Sequence, residues 1–446
     1  EMEISTAFDA YVDYTGAEPQ LTVEVGDGFG IAKVGNWTDW VPVEFEVLGG
    51  MMTLSGYTRF LFKSHSPFEL YASPIQVDPW NQAMPVSTPE DEATDLAEAI
   101  GPYYTQGFPD AYKSYKADLL GTGDFVSQSD TVMEERLKMM EYAMDQLEET
   151  GGLLFFYTGS LDLRSHMLWW AQDDLHPYKD TPGSIEDGQF PDYNQQIDRV
   201  YKQVDDMLGR LLERIEQLET DGSPIELVVM SDHGFAPFRR KMNTNDWLVK
   251  EGYLVLKDGE TAGSITAHGH LDNGQVDFES SIVDWSATRA YAVGFNGIRL
   301  NRENREARGI VTPEQEDPLL DEMRSKLLSL RDENGTIVLT RVKTAKEVFK
   351  GDARPDAPDL QLGFNVGYGG SDPAATGEIT GGPVIEDNLS RWSGSHLMDP
   401  ELVRGTIIVR SGAELSKDPS LEDITATLYS QFGVAPPVWI DGKVLF

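Results

Sequence analysis

Two short apolar runs separated by a long amphipathic stretch narrow the folds open to this chain. Residues 153–158 (LLFFYT) and 225–230 (IELVVM) have the length and composition of buried strands. The spaced apolar positions across about 193–219 read as a helix between them. A strand, a long helical crossover and a second strand predict a right-handed β-α-β unit with parallel pairing. Both strands then end on the same sheet edge, the edge where open α/β sheets take their ligands.

Each run ends in groups that bind metals. The first leads into Asp162 and His166, spaced Asp-x-x-x-His, and the second stops at Ser231-Asp232-His233-Gly234-Phe235. A third element, Trp392-Ser393-Gly394-Ser395-His396, lies far downstream. Together they offer two carboxylates and three imidazoles, donors that suit zinc-like ions. The chain has no cysteine, so disulfides and thiolate ligands are excluded and any metal must be held by N and O.

The remaining histidines carry weaker signals. His65, between two serines, reads as a surface residue, and His176 before Pro177 as part of a loop that could border the site mouth. His268-Gly269-His270 reads as a loop. Arg239-Arg240-Lys241 is a rare basic cluster that either steers an anionic substrate or balances nearby carboxylates. Asn243 and Asn245 read as caps of the helix beginning at Asp246-Trp247-Leu248. Trp169-Trp170 read as core or pocket wall.

Length and charge set outer limits. The 446 residues accommodate one large α/β domain with an insertion, or two domains. We expect a β-rich segment over 1–85, on the alternation in Leu21-Thr22-Val23-Glu24-Val25 and across 40–47 and 57–62. Residues 86–446 are then expected to form the α/β domain. Helices are expected from Thr88-Pro89-Glu90-Asp91, over 130–149, 318–330 and 423–432; short strands are expected within 290–300, 360–365 and 405–410. A net charge of −39 opposes binding to nucleic-acid duplex or anionic membrane, and no apolar run reaches the roughly 18 residues of a spanning helix.

The chain resembles the type I phosphodiesterase/nucleotide pyrophosphatase branch of the alkaline phosphatase superfamily, as an N-terminally truncated member. The residues that carry the resemblance are Gly35 to Trp40, Leu70 to Pro74, 162–170 (DLRSHMLWW), 231–240 and 243–248. It continues in 284–297 (DWSATRAYAVGFNG), Trp392 to His396, and the ending from Asp423 through Asp441-Gly442. The resemblance implies an alkaline-phosphatase-like three-layer α/β sandwich with a mostly parallel sheet, here lacking its first strands. It implies two divalent ions, expected to be Zn2+: one held by Asp162, His166 and His396, the other by Asp232 and His233. It also implies a threonine or serine nucleophile and a further aspartate on a first strand. No such strand and turn is visible, so that part, on the order of 200 residues, is expected upstream and the fragment alone is expected to be inactive. Ser395 stands where an acid is expected beside the metal histidine.

The implied function is hydrolysis of a phosphate ester or phosphodiester on a small phosphorylated molecule. Phosphomutase, sulfatase and phosphonate hydrolase activities on the same metal framework are alternatives, as is a non-catalytic metal-binding relative. Many relatives act outside the cytoplasm, so a periplasmic or extracellular location is expected.

Overall fold

Alternation builds the first strands. In the computed structural model, which describes residues 4–47, 50–184, 192–219, 224–266, 280–415 and 418–446, Leu21, Val23 and Val25 turn inward while Gln20 and Glu24 face out. β1 (Asp9–Asp13), β2 (Gln20–Val25) and β3 (Gly28–Lys33) form an antiparallel sheet. β4 (Val41–Val47) and β5 (Met52–Thr58) pair over seven residues, joined by β8 (Gln76–Val77). β6 (Phe60–His65) and β7 (Phe68–Ala72) make a hairpin. The β-rich reading of this segment thus matches the structure.

The chain divides into two units, residues 1–172 with 182–223, and 173–181 with 224–446. The first also holds α1 (Glu92–Ile100), α2 (Tyr112–Lys116), α3 (Thr122–Thr150), α4 (Ser160–Gln172) and α5 (Gln196–Glu219). α3 begins eight residues before the expected Asp130, because Asp124 accepts a bond from the Gly121 amide at 2.9 Å and supplies a start signal outside the apolar stripe. It stops at Gly151, whose φ of 65° suits glycine. Met133 and Met140 of α3 pack with Met207 of α5, joined by Leu137, Phe156, Val204 and Leu211. Outside this seam run ion pairs such as Arg210–Glu141 at 3.3 Å.

Residues 153–158 form no ladder among the described residues, and Leu153, Phe155 and Tyr157 are exposed. Residues 225–230 belong to the other unit, and no described ladder joins the two runs. In the second unit, β9 (Val228–Met230) pairs antiparallel with β20 (Ile407–Val409) instead. Strand-like composition marks a run as able to pair, but the partner is chosen by a segment some 180 positions away in sequence.

The second unit holds a large buried cluster that includes Trp247, Leu300 and Phe364. β10 (Ala236–Met242) leads into α6 (Thr244–Lys250), followed by β11 (Gly263–Ser264), β12 (Ala290–Tyr291), β13 (Gly297–Leu300) and α7 (Pro313–Ser329). α7 starts before the expected Pro318 because Gln315 reaches back to the Thr312 amide at 3.0 Å and Pro313 occupies the first turn. β14 (Leu339–Thr344) and β15 (Leu360–Phe364) complete the antiparallel order β12-β13-β15-β14. β10 lies between β16 (Gly367–Gly370), its parallel partner, and β18 (Ile385–Asp387), which is antiparallel. β17 (Glu378–Ile379) pairs with β11, β19 (Gly394–Ser395) joins the start of β10, and α8 (Leu421–Gln431) follows β20. The protein is mixed α/β with several sheets; β10–β16 is the one parallel pairing among the described ladders. No described helix is long and apolar enough to cross a membrane.

Candidate metal centre

In the first unit, α4 carries Asp162 in its first turn and His166 one turn on, so both project from one face. His166 is buried and its Nε2 lies 3.6 Å from an Asp162 oxygen. The helix is anchored by Arg164, between the two, which is fully buried. Its guanidinium donates to Ser129 Oγ at 2.7 Å, Gln203 Oε1 at 3.0 Å and Asp130 Oδ1 at 2.6 Å. Asp110, also buried, accepts from Ser129 and, at 3.1 Å, from Ser160 at the helix start. These contacts fix α4 against α3 and α5, and so fix the face on which Asp162 and His166 stand.

In the second unit, three of the expected ligands gather past the end of β9. Ser231 continues the contact with the β20 side, its amide donating to Thr406 at 2.9 Å. Gly234 donates to Val403 at 2.8 Å, and a Cβ there would lie 2.8 Å from the Arg404 carbonyl. Only glycine lets the backbone pass so closely, which explains the residue that follows Asp232-His233. His233 Nδ1 lies 3.1 Å from the Gly234 carbonyl, turning Nε2 toward Asp232 at 3.4 Å.

His396 reaches His233 because β19 pairs with β10, Ser395 opposite Ala236 and Gly394 opposite Pro237. The two imidazoles stack with centroids 3.6 Å apart and planes 12° from parallel. Each offers a ring nitrogen within 4.8 Å of the other's. Phe235 packs against both rings at 5.6 and 5.4 Å. Burial, then the neighbouring His233, pushes the His396 pKa down to about 4, so its ring is neutral at physiological pH and keeps a lone pair for a cation. Ser395 is buried and its Oγ accepts from the Leu397 amide at 3.1 Å.

The structure thus brings Asp162 to His166, and Asp232 to His233 and His396. His396, expected with the ion of Asp162 and His166, stands beside a ligand expected for the other ion.

Several neighbours have other roles than those the sequence suggested. Arg239 is paired through two bonds, 2.7 and 2.8 Å, with Asp173, and against the penalty of burial these bonds hold that carboxyl below its usual range. Arg240 bonds Asp387 at 2.6 Å and Asp332 at 3.0 Å. Both arginines are committed to structural ion pairs, so the charge-balancing reading holds over substrate steering. Asn243 occupies the α6 cap position without a side-chain cap bond, its amide donating to Pro383 at 2.9 Å. Asn245 instead exchanges two bonds with the Ala292 backbone, both 2.9 Å. Trp170 is core, as expected, and His65 ends β6 on the surface. His268 and His270 lie outside the described residues.

His176 is fully buried, its Nδ1 accepting from the Tyr178 amide at 3.2 Å and its Nε2 lying 2.8 Å from the Phe238 carbonyl. These partners place the proton on Nε2. Burial pushes its pKa down to about 4. The Arg164 network and the contacts of Phe238 had no sequence signal, since long polar side chains look alike whether solvated or buried.

A model of the type I phosphodiesterase/nucleotide pyrophosphatase family matches residues 55–372, more than half of the chain. The match includes Asp162, His166, Asp232 and His233 and ends before His396. No curated protein and no solved structure matches the chain.

Proposed function

Because the chain belongs to the type I phosphodiesterase/nucleotide pyrophosphatase family, we propose that its two groups of ligand side chains serve metal-dependent hydrolysis of a phosphate ester or phosphodiester on a small molecule. The observation that carries the metal reading is the stacked pair His233–His396 with Asp232 beside it. Two imidazoles with adjacent ring nitrogens and a carboxylate form a donor set chemically suited to a divalent ion, zinc above all. We assign Asp162, His166 and His396 to one ion and Asp232 with His233 to a second. Bound there, the ions would lower the pKa of an attacking oxygen and neutralise charge building on the phosphoryl group.

The residues of this chain contribute placement. α4 holds its carboxylate and imidazole by buried bonds, and the β10–β19 ladder holds His396 beside His233. The attacking hydroxyl in this reading belongs to a threonine or serine upstream of Glu1, so the chain by itself is expected to be inactive. Relatives acting outside the cytoplasm make a periplasmic or extracellular location part of the same proposal.

Elemental analysis of purified protein tests it. We expect about one to two zinc ions per chain, and less in His166→Ala, His233→Ala and His396→Ala. A chain that stays folded, purifies without metal and takes up no added zinc would overturn the metal reading. Hydrolysis of bis(p-nitrophenyl) phosphate by this chain, abolished in His166→Ala, would overturn the placement of the nucleophile.

A further inference from the structure

Asn388 has its whole hydrogen-bonding capacity engaged in a place remote from solvent. It is completely buried, and its Nδ2 donates to two carbonyls, Phe238 and Trp392, each at 2.7 Å. Its Oδ1 accepts from Ser390 Oγ at 2.7 Å and from the Ser390 amide at 3.3 Å. A buried amide costs stability unless it is satisfied, and an apolar side chain could fill the same volume without that demand. Its four bonds bring one loop back onto one strand.

That loop carries His396. The chain leaves β10 after β18, where the Asn388 amide donates to the Arg239 carbonyl at 2.8 Å. It returns where the Phe238 amide donates to Ser393 at 2.7 Å and Ser395 faces Ala236. The Asn388 side chain spans the excursion, bonding Trp392 near its far end and Phe238 on the strand beneath. His176 meets the same Phe238 carbonyl. Phe238 lies five positions after His233, so the strand that follows one imidazole is bolted to the loop that presents the other.

We propose that Asn388, seconded by His176, is a positioning residue for metal binding, fixing the His396 imidazole beside His233 through the Phe238 carbonyl. The inference rests on the metal reading above. Groups that orient ligands without touching the metal typically change metal affinity by about 10- to 100-fold when removed.

The test is titration of the full chain with Co2+, read by its visible ligand-field spectrum, and with Zn2+ against a competing chelator at pH 7.5. Circular dichroism and thermal unfolding of the metal-free proteins are recorded alongside. Asn388→Asp keeps the acceptor and loses both donors; His176→Phe removes the second bond to Phe238; His176→Gln retains an amide donor. We expect the first two to bind metal about 10- to 100-fold more weakly with an altered cobalt spectrum, and His176→Gln to stay within a few-fold of wild type. Should Asn388→Asp fail to fold, the two His176 variants decide. Folded Asn388→Asp and His176→Phe with wild-type affinity and spectrum would overturn the inference and leave the metal reading standing. Wild type that binds no cobalt would overturn the metal reading and the inference with it.

Discussion

At the scale of single residues, the chain holds two buried titratable groups whose pKa values are displaced in opposite directions from their usual ranges. Glu135 is pushed up to about 7, chiefly by burial, although it accepts from the Tyr104 amide at 3.2 Å and the Trp40 indole at 3.3 Å and faces Arg59 and Arg136. His176 is pushed down to about 4, again by burial. The signs of the stability effects follow. Between about pH 4.5 and 7 the unfolded chain ionises Glu135 while the fold keeps it neutral, so its contribution falls as pH rises. Between about pH 4 and 6.5 the unfolded chain protonates His176 while the fold does not, so its contribution falls as pH drops. Each window spans roughly 3 kcal/mol. Urea denaturation across this range should show Glu135→Gln gaining on wild type toward pH 7 and His176→Gln gaining toward pH 4, apart from constant offsets. Parallel pH curves for variants and wild type would refute the assignment. The proposed ligands Asp162, His166, Asp232 and His233 stood out because acids and imidazoles following apolar runs are uncommon, and His396 because it joins them from a loop flanked by glycine and serine. Glu135, Asn388 and Arg164 did not, because burial gives a polar residue its meaning and one sequence does not display burial.

At the scale of elements, long periodic helices were read nearly correctly and short strands less so. α5 was expected over 193–219 and spans Gln196–Glu219; β9 was expected over 225–230 and keeps three residues. A helix closes its bonds within itself, whereas a strand depends on a partner the sequence does not specify. α4 shows how an element becomes a scaffold: Arg164 meets α3 through Ser129 and Asp130 and α5 through Gln203. Arg164→Met should therefore leave the buried Asp110 without its counter-charge, while Asp130 keeps Arg199, and cost about 3 kcal/mol. Hydrogen exchange would show it as selective loss of amide protection along α4. Unchanged protection there, with stability intact, would mean that the arginine is ornamental to the helix.

At the scale of the whole molecule, charge dominates. A surplus of 39 negative charges repels itself, and the repulsion weakens as salt shortens its range. Raising NaCl from about 0.01 M to about 1 M shrinks the Debye length from about 30 Å to about 3 Å, so the melting temperature should climb by several degrees. A melting temperature indifferent to salt would show the charges to be already compensated.

The same salt removes a safeguard. Residues 153–158 expose Leu153, Phe155 and Tyr157, and exposed apolar side chains on neighbouring positions favour contact between copies. In dilute buffer, approaching copies meet a like-charged cloud before these side chains can touch. Salt that relieves the self-repulsion of the fold thereby also lowers the electrostatic barrier between copies.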